Sequence, residues 1–493
     1  MPDVSKRYLA FDLGAESGRA VLGRVDAGVI TTQEVHRFAN EPVGHGGSLH
    51  WDAPRLWLEM RKALCGLGQA ELAGIGVDAW GVDYALLGED GDLLENPYHY
   101  RDKRTDGVME QVFQTVSQDE IYGETGIQFM SINTLYQLCA AKRDNPQLLK
   151  AAQTLLTMPD LFHYWLTGHA RCEFTNATTT QMVNAVSRSW SEKLMEKLQL
   201  PANLPAPIME PGRAIGSLQE QAAVGTALAG TPVIAPGSHD TASAVAAVAA
   251  RDGTAFLSSG TWSLIGTELN APLINAESLR LNFTNEGGVC GTTRLLKNVM
   301  GLWMLQCCRR AWSSEGRDYS YAELMELSVR EPAFQHLVDP NDDSFLHPTS
   351  MPEAIDRFCA KTQQARPSNP GAYTRAVLES LALKYAVVIG EIAQLTGRPI
   401  NDIRVIGGGS KNRLLNQFTA DATGRRVLAG PVEATALGNL AIQILATGGV
   451  SSLVEARAMI DRSFPTEVFL PRESDRWQNE LERFQHYVGM VYA

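Results

Sequence analysis

The chain has no excess of positive charge. Its 43 Lys and Arg stand against 55 Asp and Glu, a formal net charge of −12 over 493 residues. A phosphate backbone needs a basic face, which argues against a nucleic-acid partner. A bound polyanion would need its charge handled locally, by a metal ion and backbone N–H groups. Long apolar runs are also missing. The longest, residues 242–250, falls far short of the ~20 residues that cross a bilayer. Behind Lys6 and Arg7, Asp12 interrupts too early for a secretory h-region. The expectation is a cytoplasmic protein with no membrane partner. Seven cysteines, an odd number with no CxxC, argue against a disulfide framework or a thiolate metal site. The adjacent Cys307 and Cys308 read as inert thiols in a helix. No GxxxxGK[ST], HExxH or GxSxG occurs, so the usual phosphate loop is excluded. Residues 339–345 (DPNDDSF) resemble a calcium loop, but Ser344 stands where glycine is required and the twelfth position is Ser350. They read as a turn cluster.

What is present is ordinary globular composition, 44% hydrophobic and 20% charged, with length for two or three domains. Residues 8–12, 20–25 and 29–35 read as strands. A helix starts near Asp52 and Pro54 and carries Leu56, Trp57, Met60 and Leu64 on one face. Residues 74–78 (GIGVD) and 82–87 read as short strands, the second closed by the turn 88–92. The second half repeats the theme: strand, small-residue turn and strand over 254–269, a long helix over 375–395, a strand over 403–406, and helices near 412–422 and 434–446. Each half opens with a hairpin whose turn is made of Gly, Ser and Thr, a faint internal repeat. Residues 200–237 hold many prolines and read as loops and short strands. Residues 474–491 place Trp477, Leu481, Phe484, Val488 and Val491 at helical spacing, an amphipathic docking helix.

Several segments carry chemistry. In residues 12–19 (DLGAESGR) a strand ends in Asp and runs into small residues, so backbone N–H groups can converge on an anion while the carboxylate faces a metal. A plain hairpin turn uses the same residue types. The partner loop 258–263 (SSGTWS) favours function, because two such turns can grip a triphosphate from both sides. Residues 406–424 (IGGGSKNRLLNQFTADATG) join a strand to a helix through three glycines, which admit a flat surface close to the backbone beside a helix N-terminus. Residues 78–87 (DAWGVDYALL) place two acids around Trp80 just past a buried strand, where ligand sites of α/β sheets lie. Trp80 reads equally as a sugar-facing indole and as a core plug. In residues 237–250 (GSHDTASAVAAVAA) a charge stands at the mouth of an Ala/Val run. If the run is a helix, Asp240 lies in its first turn, where the dipole stabilises an anion by roughly 0.3–1 kcal/mol. Such an acid either caps a core helix or accepts a proton, the one side-chain base that sugar phosphorylation requires.

Taken in order, DLGAESGR, GSHDTASAV, LSSGTW, IGGGSKNRLLNQ and GPVEATALGN resemble the FGGY carbohydrate kinases of the actin/hexokinase-like ATPase superfamily. The likeness runs from about Tyr8 to about Gly449. Within that family, DAWGVDYALL, YRDKRTDG, GIQFMSINTLYQL, EFTNATTTQMVN, NFTNEGG and KNVMGLWMLQ are similar to bacterial members that act on L-rhamnulose. The resemblance implies an α/β, two-domain actin/hexokinase-like ATPase fold of duplicated ribonuclease-H-like domains with a cleft between them. The expected domains are a sugar-binding domain over 1–248, a nucleotide-binding domain over 249–455, and a C-terminal segment, 456–493, ending in the docking helix. The implied reaction is ATP-dependent phosphorylation of L-rhamnulose at its 1-hydroxyl, with Mg2+.

The resemblance makes Asp240 the catalytic base. It puts Gly81, His239, Asp240 and Thr241 on the sugar and Asn298 at the sugar–nucleotide junction. Ala15, Glu16, Ser17, Gly18 and Arg19 form a nucleotide loop, with Asp12 facing the magnesium ion. Thr261 and Gln306 contact ATP, and Gly408 backs the adenosine. Glu16 departs from the small residue frequent in the family, and an acid beside phosphates is repulsive, so it is expected to point away or to weaken ATP binding. The substrate's methyl group calls for an apolar wall, for which Phe129, Met130 and Trp80 are candidates. The expected partners are a ketose and ATP, and the oligomeric state stays open between monomer and weak dimer. Alternatives are another FGGY kinase, acting on L-fuculose, xylulose or glycerol, or an actin- or Hsp70-like nucleotide switch.

Overall fold

The computed structural model describes residues 6–68, 70–223, 225–250 and 253–492. They gather into two compact units. Unit 1 takes Met1–Ala249, Glu268–Leu295 and Ala434–Phe464, and unit 2 takes Ala250–Thr267, Leu296–Glu433 and Pro465–Ala493.

Unit 1 is built on a six-stranded sheet in the order Ala214–Ser217, Pro232–Ile234, Gly74–Ala79, Lys6–Leu13, Ser17–Asp26, Val29–Ala39. Lys6–Leu13 pairs antiparallel with Ser17–Asp26 and parallel with Gly74–Ala79. Gly74–Ala79 is buried along its whole length, as a strand covered on both faces should be. The second hairpin turns through Ala27 and Gly28, both at positive φ (48° and 74°), as a two-residue hairpin of right-handed strands demands. Helix Ala53–Leu67 starts where Asp52 accepts the Arg55 N–H, and it buries Leu56, Met60 and Leu64. Trp57, expected on that face, is only half-buried and packs against Trp165.

Helix Ala434–Ala446 lies on strands Lys6–Leu13 and Gly74–Ala79 and against helix Asp240–Ala246, all in unit 1. Its Gln443 Nε2 donates to Leu9 O at 3.0 Å, and its Asn439 Nδ2 to Asp78 Oδ2 at 2.6 Å. The sequence-based division put residues 249–455 together. In the structure, Ala434–Phe464 packs in unit 1 because this helix seats its side chains on the first sheet, and Glu268–Leu295 belongs to unit 1 as well.

The second sheet has seven strands in the order Thr284–Gly287, Thr293–Met300, Trp262–Leu269, Thr254–Ser259, Asp402–Ile406, Arg426–Ala429, Glu467–Phe469. Thr254–Ser259 is antiparallel to its hairpin partner and parallel to Asp402–Ile406. That repeats the plan around Lys6–Leu13 in unit 1. Helix Pro370–Thr396 opens at Asn369, which caps Ala372, and ends at Gly397 with φ 64°. It packs against helix Ser474–Tyr492, whose Trp477 and Phe484 are buried; Trp477 meets Phe334 edge-on at 4.7 Å. Leu481, Val488 and Val491 are half-buried. Among the described residues no helix is long and apolar enough to cross a membrane, and all seven cysteines are unbridged.

Candidate active site

The Ala/Val run begins as a helix, Asp240–Ala246, in which Thr241–Ala246 are all buried. His239 is its N-cap, and its carbonyl accepts the N–H groups of Ala242 (2.7 Å) and Ser243 (3.0 Å). The preceding backbone is held on both sides. Ser238 O accepts the Ala79 N–H at 2.9 Å, Ser238 N–H donates to Glu173 Oε2 at 2.9 Å, and His239 N–H donates to Thr175 Oγ1 at 3.2 Å. Asp240 thus starts from a fixed point, and its side chain keeps 30% exposure. Its Oδ1 accepts the Thr241 hydroxyl at 3.0 Å and lies 3.4 Å from His239 Nε2. Burial is the main cause that raises the Asp240 carboxyl above its ordinary range; His239 opposes the shift and Asp12 adds to it.

Gly81 stands at the end of the strand that pairs with Ser238–His239. A Cβ there would lie 2.9 Å from Thr179 Oγ1 and 3.0 Å from Thr179 Cγ2, so only glycine fits without displacement. The next residue, Val82, has φ 66°, a costly conformation for a β-branched side chain. Thr179 Oγ1 accepts its N–H at 3.0 Å, and Thr134 Oγ1 and Gln137 Nε2 donate to its carbonyl. The strand expected to begin at residue 82 begins at Tyr84 for this reason. Strain that surrounding bonds over-determine is characteristic of ligand sites. Glu173, fully buried, caps helix Phe174–Thr179 and also takes the Ser238 N–H. Desolvation pushes its carboxyl to about 7. Trp80 proves to be a core plug: it is buried, and its Nε1 donates to buried Asp83 at 3.0 Å, which also takes the Trp51 Nε1–H at 2.6 Å. Phe129 and Met130 are half-buried.

Asp12 faces Arg19 across the first hairpin, with Oδ2 2.6 Å from Nη2. Ala15 and Glu16 form the turn, tied by the Gly14 N–H to Ser17 O and the Asn40 N–H to Glu16 O, both at 3.0 Å. Glu16 is exposed, and Gly18 sits where a Cβ would strike the Phe38 ring. Asp78 is fully buried, and its Oδ1 has no hydrogen-bond partner. Desolvation, then the charges of Asp12 and Asp240, push its carboxyl well up. Asp12, Asp78 and Asp240 thus act on one another here, and Arg19 opposes their effect on Asp78. Among the described residues no three His, Cys, Asp or Glu side chains gather to hold a metal unaided. The donor set fits Mg2+, a hard cation that keeps several waters and takes one or two carboxylates together with substrate phosphates.

In unit 2, the turn of Gly260 and Thr261 is closed by the Gly260 N–H to Trp262 O at 2.9 Å. Leu302 N–H donates to Gly260 O, and Gly301 N–H to Thr261 O. Gln306 Nε2 reaches Thr261 Oγ1 at 3.4 Å, so these two expected nucleotide contacts are neighbours. Gly407 has φ 82°, and a Cβ on Gly409 would lie 2.0 Å from Ser259 Oγ. At Gly408 a Cβ would meet nothing within 4 Å. The fold requires the outer two glycines, and the middle one leaves open space beside the backbone. Asn298 also lies in unit 2, half-buried, with its carbonyl 3.5 Å from Asn341 Nδ2.

The structure also brings in residues given no role from the sequence. Glu173, Thr175, Asn176 and Thr179 come from EFTNATTTQMVN, Glu286 from NFTNEGG, and Asn439 from GPVEATALGN. The signal was an acid or amide among small residues, but its partners lie far away in the chain.

Two family models match: the N-terminal domain of the FGGY family of carbohydrate kinases over residues 7–247, and its C-terminal domain over residues 255–447. The rhamnulokinase of Bacteroides thetaiotaomicron is 44% identical over 490 residues, covering 98% of this chain and 100% of that protein. That of Bacillus subtilis is 39% identical and covers 98% of each. Among solved structures, gluconate kinase from Lactobacillus acidophilus superposes with a TM-score of 0.81 at 17% identity over 99% of both chains. Plasmodium falciparum glycerol kinase with ADP gives 0.76 at 15% identity over 98% of both. These two show that the chain has the two-domain fold of such kinases. The two domain models and the full-length relatives together establish that the chain belongs to the FGGY family of carbohydrate kinases.

Proposed function

We propose that this carbohydrate kinase transfers the γ-phosphoryl group of ATP to the 1-hydroxyl of L-rhamnulose, with Asp240 as general base. The observation that carries the role of Asp240 is its setting: a part-exposed carboxylate on a helix start fixed by Ala79, Glu173 and Thr175. The choice of ketose is supported by the rhamnulokinase relatives. The ketose rests on Gly81, His239, Asp240 and Thr241, with Asn298 at its junction with the nucleotide. The nucleotide takes Thr261, Gln306 and Gly408, and Ala15 to Arg19 receive its phosphates. Asp12 would hold Mg2+ together with phosphate oxygens and water; when bound, the ion neutralises phosphate charge.

In the chemical step the O1–H bond breaks and its proton passes to Asp240. The O1–Pγ bond forms as the bond from Pγ to the bridging oxygen of ADP breaks. A carboxyl raised by burial binds that proton more tightly, which favours the transfer. Positioned general bases contribute about 10²–10⁴-fold. Asp240→Asn is therefore expected to retain sugar and nucleotide binding and to lose about that factor in kcat. A coupled ADP-release assay over L-rhamnulose, L-fuculose, xylulose and glycerol, on wild type and variant together, tests both statements. Faster turnover of another sugar overturns the substrate. Near-normal kcat in the variant overturns the base. Sugar-indifferent ATP turnover would favour the nucleotide-switch reading.

A further inference from the structure

His239 has neighbours that constrain its protonation as well as its position. Nδ1 lies 3.1 Å from Arg294 Nη2 and 3.2 Å from Glu286 Oε2, and Nε2 lies 3.4 Å from Asp240 Oδ1. All three partners belong to unit 1. The Arg294 side chain is 1% exposed and that of Glu286 6%. Arg294 Nε donates to Gly287 O at 2.9 Å, and Nη2 lies 3.1 Å from Glu286 Oε2. Gly287 N–H donates to Thr178 Oγ1 at 2.9 Å, which ties this group to the same helix, Phe174–Thr179, that holds the His239 backbone.

A guanidinium has donors only. Glu286 Oε2 has no hydrogen-bond partner, so of the two contacts at His239 Nδ1 the Arg294 one is the hydrogen bond. It needs a lone pair on Nδ1, and a neutral imidazole with a lone pair there carries its proton on Nε2, the nitrogen facing Asp240. Glu286 is the counter-ion that lets Arg294 stay buried. Thr241 Oγ1 donates to the same Asp240 oxygen, Oδ1.

We propose that Arg294 and Glu286 are positioning residues of the transfer reaction: they hold His239 as the Nε2–H tautomer, which together with Thr241 orients Asp240 through Oδ1 and leaves Oδ2 to take the proton. This rests on Asp240 being the general base. His239 is the relay, and neither member of the pair touches the reacting atoms.

The test uses the full-length chain labelled with ¹⁵N-histidine, with His239→Gln to assign the resonance. The expected spectrum has an unprotonated Nδ1 and a protonated Nε2. A proton on Nδ1, or a tautomer mixture, in the wild type overturns the proposal whatever sugar the enzyme uses. The double variant Arg294→Met/Glu286→Gln removes both charges together, so no lone buried charge remains. It is expected to lose at least tenfold in kcat, to keep KM for ATP within about twofold, and to show mixed tautomers at His239. Arg294→Lys, which keeps a charged donor, is expected to recover part of the rate. A cooperatively melting double variant with unchanged kcat overturns the proposal. Should the double variant fail to fold, the wild-type spectrum still decides. A wild type that phosphorylates no ketose would instead overturn the functional reading, and the imidazole spectrum would still decide this one.

Discussion

Glu173 shows how one buried acid couples the site to stability. It accepts N–H groups from Thr175 and Ser238 at 2.9 Å, and desolvation lifts its carboxyl from the ordinary 4.5 to about 7. Between those two values the native chain holds a proton that the unfolded chain has released. Stability therefore falls as pH rises through that window and levels off above about 7. The slope is at most about 1.4 kcal/mol per pH unit for one proton. Asp83, raised to about 6, and Glu379, raised to about 7, act in the same sense. They cancel when wild type is compared with Glu173→Gln, which lacks the titrating group. Urea unfolding at pH 5, 6, 7 and 8 is expected to show the stability advantage of wild type over Glu173→Gln shrinking across the series. A difference independent of pH would refute the role given to this carboxyl.

At the scale of elements, the catalytic helix depends on a contact between two backbones. A Cβ on Gly438 would lie 1.7 Å from Ser243 O and 2.6 Å from Ser243 C, so helix Ala434–Ala446 meets helix Asp240–Ala246 with no side chain between them. Gly438→Ala must open the pair, and no flexible side chain is there to yield. Overpacking costs about 1–3 kcal/mol and occasionally more; a backbone clash belongs at the upper end. The variant is expected to lose about 3 kcal/mol in urea unfolding and, because Asp240 begins the displaced helix, to lose kcat as well. A fully stable, fully active Gly438→Ala would contradict this packing. The same pair marks what the sequence could tell. Both hairpins, the buried run at Asp240 and the helix over 434–446 were legible, because each is written in neighbouring residues. The seating of that helix was not, since Asn439 and its partner Asp78 stand 361 positions apart. Glu173 is likewise 65 positions from Ser238. The sequence leaves Trp80 ambiguous, since an indole N–H can face a sugar or, as here, a buried carboxyl, that of Asp83.

For the whole molecule, the division of labour between the units makes a prediction that depends on neither the identity of the ketose nor the rate of turnover. The base and the fixed backbone at 238–243 and 79–82 belong to unit 1; the turn at 259–263, the segment 301–306 and the glycines at 407–409 belong to unit 2. A ligand that binds only the native site stabilises it by RT ln(1 + [L]/Kd), about 2.7 kcal/mol at a hundredfold excess over Kd. Amides exposed only by openings that release the ligand then exchange about a hundredfold more slowly. Hydrogen exchange on the full-length chain is expected to show the ketose alone slowing residues 79–82 and 238–243, and a non-hydrolysable ATP analogue alone slowing 259–263, 301–306 and 407–411. Both sets rest on backbone hydrogen bonds, such as Ala79 to Ser238 O and Leu302 to Gly260 O, so their exchange reports local opening. If the ketose protected the glycine segment of unit 2 and left 238–243 unchanged, the sugar site would have to leave Asp240, and the general-base assignment would go with it.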